Sequence, residues 1–201
     1  MKLSIKTIDK DATLFKQVSK NVDFKDTGWE KEVLAIEQFC IDTACFGIAA
    51  IQVGIPKRIV YLKNTNPAGY KDSKDFEEMR IFINPVVVSR RGHTKYWEAC
   101  LSTGDYIGLV SRPYEIVLDY YDRNAVKRRD LFQGFESTVL SHELHHLDGI
   151  EHIDVAEKVL QMSDTARMKF REKNPYQILS KTCDFELIEK NQMECVLGKK
   201  R

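Results

Sequence analysis

Two histidines four residues apart, with a glutamate directly after the first, constrain this chain more than any other feature. The segment from His142 to His152 reads HELHHLDGIEH. Four residues advance an α-helix by about 400°, so His142 and His146 leave nearly the same face one turn apart, where one metal ion can take both. Glu143 is rotated by about 100° from His142, too far to share the ion naturally but near enough to reach a water beside it and move protons. Val139, Leu140, Leu144 and Leu147 supply the apolar positions of a helix beginning near Glu136, and Gly149 suits the position just past its end. The fold must therefore deliver a short helix that presents two imidazoles and a carboxyl group to one point.

Composition narrows the class. The 201 residues are 43% hydrophobic and 30% charged, a balance that supports one buried core and is too apolar for a disordered chain. Thirty-one basic and thirty acidic side chains give a formal charge of +1, so no overall field directs the protein to nucleic acid or an anionic membrane. Lys127-Arg128-Arg129 and Lys199-Lys200-Arg201 read as a solvated turn and a tail. The opening MKLSIKTIDKDATLF meets charge before any apolar run reaches signal-peptide length, and no window approaches a membrane span, which predicts a cytoplasmic protein. Five cysteines, at 40, 45, 100, 183 and 195, form no C-x-x-C pair. In a reducing compartment Cys40, Cys45, Cys183 and Cys195 read as small buried hydrophobes.

Periodicity predicts an amphipathic helix from Trp29 to Ala44, with Val33, Ile36, Cys40 and Ala44 on its apolar face. Arg58–Lys63, Ile81–Val88 and Tyr114–Tyr121 are rich in β-branched and aromatic residues and read as strands, and 64–75 reads as a surface loop. Tyr120-Tyr121 and Leu131-Phe132 flank a hairpin tip at Asp122 and Asn124. Asp154 to Lys173 reads as a further helix, and the rest carries little pattern. Strands first and the key helix late predict an α+β fold of mostly antiparallel sheet, packed around a central helix carrying HExxH, with N-terminal and C-terminal helices. One domain is expected over 1–201, with about 174–201 as a peripheral C-terminal extension.

The third metal ligand has two readings. His152 completes HExxHxxGxxH, the three-histidine site of metzincin proteases, although Met162 and Met168 fall in a segment that reads as helix rather than in a methionine turn. A His142/His145 pair is also compatible with helical spacing, but it leaves His146 idle. The other reading lies upstream, in Cys45-Phe46-Gly47-Ile48-Ala49-Ala50-Ile51-Gln52 and in Trp97-Glu98-Ala99-Cys100-Leu101-Ser102. With the HExxH helix and its Leu147-x-Gly149 these blocks stand in the order GxGxAAxQ, EGCLS, HExDHLxG, and from about Phe46 to Asp154 the chain resembles the peptide deformylases.

That resemblance implies an enzyme that removes the formyl group from the N-terminal formylmethionine of newly synthesised polypeptides. It implies Cys100, His142 and His146 as ligands of one divalent metal ion, with ferrous iron the native choice and zinc, nickel or cobalt able to replace it. Three protein ligands and one open position are what a catalytic metal site requires. By the same resemblance Glu143 is the general base, the side-chain amide of Gln52 and the backbone N–H of Leu101 face the developing oxyanion, and Phe46, Gly47 and Ala99 pair their backbone with substrate. Expected partners are N-formylmethionyl nascent peptides at the ribosome exit of a bacterial-type cytoplasm, with no membrane and no specific nucleic acid. A three-histidine metalloprotease and a non-catalytic deformylase-like peptide-binding protein are the alternatives.

Five positions depart from the family pattern: Cys45 and Ala99 replace glycines, Ile51 a proline, Ser141 a glutamine and His145 the aspartate of HExDH. If the glycine replaced by Ala99 has φ > 0, alanine costs about 1 kcal/mol or displaces the loop. An acid at 145 would pair with an arginine such as Arg112, which a protonated histidine would repel.

Overall fold

The computed structural model describes residues 3–43, 45–63, 79–186 and 188. Its strands are β1 (Gly47–Ala49), β2 (Ile59–Lys63), β3 (Met79–Ala99), β4 (Tyr106–Arg112), β5 (Glu115–Tyr121), β6 (Lys127–Gln133), β7 (Lys158–Gln161) and β8 (Gln177–Asp184). The helices are α1 (Trp29–Thr43), α2 (Phe135–Leu147), α3 (His152–Val155) and α4 (Asp164–Lys173). All eight strands join one antiparallel sheet with β3 as its spine, pairing in turn with β2, β5, β8 and β4. Such a long strand changes partners by bending. One register shift lies between Ile83 and Val86, where Asn84 takes φ 52° and Pro85, which has no N–H to give, follows. Asn84 is held there by its side chain, which bonds the backbone N–H (2.7 Å) and C=O (2.9 Å) of Val22.

Two helices cover opposite faces of β1, β2 and the start of β3. Ile48, Tyr61, Ile81 and Ile83 turn toward Trp29, Val33, Ile36 and Cys40 of α1. Their alternates Ala49, Val60, Leu62 and Phe82 turn toward Leu140, Leu144 and Leu147 of α2. The period-2 pleat makes this division, so β2 buries both faces and shows a continuous apolar run rather than alternation. Burying each of those leucines stabilises the fold by about 1.5–3 kcal/mol. The remaining faces of α2 are also covered, because Ser137, Thr138, His142, Glu143 and His146 are all buried.

The expected helix from Asp154 to Lys173 is corrected. Its first part is the single turn α3, its middle is β7, and only its last ten residues form α4. Tyr106 to Leu109 offer β7 a complete antiparallel ladder, and Ser163 then restarts a helix by accepting from the Ala166 N–H. The strand expected over Ile81–Val88 extends to Ala99, through Arg91 and Lys95, whose backbones are paired on both sides. In the segment expected as a peripheral extension, β8 pairs with β3. Ala44, the loop at 64–75, Cys195 and the basic tail at 199–201 lie outside the described residues. Among the described residues no helix is long and apolar enough to cross a membrane.

Candidate metal centre

Three elements meet at one point. Cys100 directly follows β3 and caps the short 3-10 turn Leu101–Thr103, and α2 brings His142 and His146. Cys100 Sγ lies 3.3 Å from His146 Nε2, which lies 3.1 Å from His142 Nε2. Among the described residues this is the one group of three or more Cys, His, Asp or Glu side chains whose donor atoms converge, all within 4.8 Å. Gln52 stands beside it on the 3-10 turn Ala50–Val53, with its amide nitrogen 3.1 Å from Cys100 Sγ. The N-terminal segment straps the two turns together, since Lys6 N–H donates to Gln52 O and Ile8 N–H to Ser102 O.

Each imidazole is tied at its other nitrogen to a buried carboxylate. His142 Nδ1 is 2.9 Å from Glu98 Oε2, and His146 Nδ1 is 3.0 Å from Glu151 Oε1. Glu98 also receives two bonds of 2.8 Å from Arg112, itself only 2% exposed. Burial would raise the Glu98 carboxyl, but the Arg112 guanidinium and His142 outweigh it and hold it well below the usual range. Burial would likewise raise the Cys100 thiol, yet the two histidines bring it down to about 6. Against the opposing effect of burial, Cys100 and Glu98 raise His142 to about 9, and Cys100 and Glu151 raise His146 well above its ordinary value.

These shifts share one cause, a pocket that calls for positive charge. The thiolate and the two carboxylates draw the imidazoles toward their charged form, while the 3.1 Å between the two Nε2 atoms leaves room for one proton between them. A divalent ion satisfies the same sulfur and nitrogens with no proton, and the carboxylates fix the tautomer that turns each Nε2 inward. The donor set therefore fits such an ion.

Cys100 and His142 line a cleft of roughly 750 Å³, together with Phe46, Gly47, Gln52, Ala99, Leu101 and Glu143. Glu143 is 4% exposed, its Oε2 has no hydrogen-bond partner among the described residues, and burial pushes its carboxyl up to about 7. Gly47 is glycine for want of space: a Cβ there would lie 3.0 Å from both Glu143 Oε1 and Val139 Cγ1. Ala99 is unstrained, because its φ is not positive and it pairs with Ile107 as the last residue of β3. The expected penalty at this position is absent. Gly149 does need its φ of +73°, and a Cβ would also press on the Lys16 backbone at 3.0 Å.

His152 does not join the cluster. It lies on α3 with its ring 5.5 Å from that of His142, 1% exposed, with neither nitrogen hydrogen-bonded among the described residues, and burial takes it down to about 3. The repulsion foreseen between Arg112 and His145 is also absent. Burial and Arg112 hold His145 well below its ordinary value, so the neutral ring accepts at Nδ1 from Arg112 Nη1 (2.8 Å). Sequence reasoning assigned no role to Glu98 or Glu151. Glu98 stood out only as a member of the second block, since Arg90, Arg91, His93 and Lys95 precede it in the same strand, and an acid at a short helix start carries no distinguishing signal.

An antiparallel sheet that sets a cysteine against two helix-borne imidazoles, beside a buried carboxyl group in a cleft, has the make-up of a metal-dependent hydrolase of the HExxH class. Residues 3–161 match the family described as polypeptide deformylase. The chain is 34% identical over 161 residues to a peptide deformylase of Pelagibacter ubique, covering 78% of this chain and 89% of that one. It is similar to the crystal structure of peptide deformylase from Ehrlichia chaffeensis, with a TM-score of 0.66, 26% identity and coverage of 87% of this chain and 98% of that one. A class I type b peptide deformylase from Acinetobacter baumannii, crystallised with Met-Ala-Ser bound, shares the fold at a TM-score of 0.66 and 24% identity, over 77% of this chain and 98% of that one. The chain belongs to the peptide deformylase family.

Proposed function

We propose that this chain hydrolyses the formyl group from the N-terminal formylmethionine of newly synthesised polypeptides. The observation that carries the reading is the convergence of Cys100, His142 and His146 beside Glu143, in a chain of this family. Those three ligands hold one divalent ion, ferrous iron natively, with zinc, nickel or cobalt as substitutes. When bound, the ion supplies electrophilic polarisation and makes water acidic near neutral pH. Glu143 takes the proton from the attacking water and passes it to the leaving amine, a task suited to a carboxyl group near 7. The Gln52 amide and the Leu101 N–H face the formyl oxygen as charge gathers on it. Phe46, Gly47 and Ala99 pair with the substrate backbone as with an added strand. In support, β1 is a sheet edge, and past Lys95 no described strand pairs with β3 opposite β4.

The HExxH helix is read as the central element of the fold, and residues 1–201 as one catalytic domain to which 174–201 is appended. The protein acts on nascent peptides in a bacterial-type cytoplasm, near the ribosome exit. Anaerobic incubation of the iron-loaded protein with formyl-Met-Ala-Ser tests this, with stoichiometric formate as the expected product. Binding of the peptide with no formate would contradict the proposal and leave a peptide-binding protein.

A further inference from the structure

The two imidazoles are restrained alike by unlike means. Glu98, behind His142, lies in the second signature block and has both oxygens bonded by Arg112. Glu151, behind His146, lies beyond the third block, which ends at Gly149. Among the described residues it has no arginine: its single ion pair there is with His146, both side chains are buried, and its second oxygen, Oε2, is buried with no hydrogen-bond partner among them. Its backbone is pinned independently. Glu151 N–H donates to Asp154 Oδ2 (2.9 Å), Asp154 N–H donates back to Glu151 O (2.9 Å), and Lys16 Nζ holds the same Asp154 oxygen (2.7 Å).

A buried carboxylate oxygen with no donor opposes folding. An apolar residue in this place would spare that cost, so the acid's contribution must lie in its one contact. That contact fixes the ring of His146 and leaves Nε2 directed at Cys100 Sγ and His142 Nε2. A carboxylate accepting from Nδ1–H also makes the opposite nitrogen a stronger donor. We infer that Glu151 is a positioning residue of the metal centre, holding His146 as a ligand and slowing loss of the ion, in a role this chain adds to that of Glu98. The inference rests on the reading of Cys100, His142 and His146 as the ligands.

The test is metal retention in the full chain loaded with cobalt, followed by transfer of the ion to a chelator and by the cobalt absorption bands. Glu151→Gln keeps the shape and one acceptor but loses the charge, and Glu151→Leu loses both. Outer-sphere partners of ligating histidines are worth about 10–100-fold in metal affinity or activity. The expected result is release about tenfold faster or more in Glu151→Leu and about fivefold faster in Glu151→Gln, with shifted absorption bands in both. Release within about twofold of the parent in a folded Glu151→Gln protein overturns the inference, whatever the leucine variant does. Cys100→Ala, run alongside, separates the two readings: if it loses cobalt while both Glu151 variants keep it, only the role of Glu151 fails, and if it keeps cobalt, the ligand assignment fails.

Discussion

Glu143→Gln is expected to retain the fold and the metal and to lower formate release by about 10²- to 10⁴-fold, the span of a lost general acid–base group. Glutamine matches the shape of the side chain but cannot take the water's proton. A second consequence concerns stability of the metal-free protein. Burial raises Glu143 from its ordinary 4.5 to about 7, so between those values the folded state holds a proton the unfolded chain has released. The stability this confers is complete below 4.5 and is lost as pH rises through 7, a change of about 3 kcal/mol. Glutamine carries no charge to desolvate. Metal-free Glu143→Gln should therefore unfold at higher denaturant than the metal-free parent at pH 8, with the difference shrinking toward pH 5. Unchanged activity, or a variant less stable than the parent at pH 8, contradicts the role assigned to this carboxyl group.

Arg112→Met should cost about 3–5 kcal/mol, because it leaves the buried Glu98 carboxylate without its guanidinium. In a chain of this size that lowers the thermal midpoint by roughly 6–20 °C. Among the described residues His142 would be the one side-chain partner left to Glu98, and its Nδ1 offers one bond where Arg112 gave two. The pH dependence has a defined sign. Glu98 is held below its ordinary range, so its contribution is present above the unfolded carboxylate range and is lost as pH falls through the depressed value. The gap between Arg112→Met and the parent should accordingly narrow in acid. Adding Glu98→Gln to Arg112→Met should restore part of the loss, since the stranded charge disappears. A loss under about 1 kcal/mol at neutral pH would show that the pair is not the buried restraint described here.

Much of this was legible in the sequence where side chains alternate between environments. α1 and β5 each bury one face, and their apolar spacing showed it. β7 and β8 expose nearly every side chain, so they carry no period-2 pattern, and backbone pairing to β4 and β3 makes them strands. Lys158–Gln161 was consequently read as helix. At the site, helical geometry alone placed His142, His146 and Glu143 together. Nothing local marks Cys100 as their neighbour: it arrives at the end of β3, 46 positions before His146, and only the three-block resemblance pointed to it. Arg112 was seen as a possible partner for position 145, but the strand pairing that sets it against Glu98 is a property of the sheet. His152, the alternative ligand, is the opposite case, a residue that completes a motif in the sequence while α3 turns its ring alongside His142 rather than into the cluster.

Metal content of the parent, Cys100→Ala and His152→Phe, each refolded with cobalt and freed of excess ion, measures the central assignment most directly. One equivalent in the parent and in His152→Phe, with none in Cys100→Ala, is the predicted result. His152→Phe should also unfold no earlier than the parent, since two buried, unpartnered nitrogens are removed. Cobalt retained by Cys100→Ala and lost from His152→Phe would contradict the account and make the centre a three-histidine site.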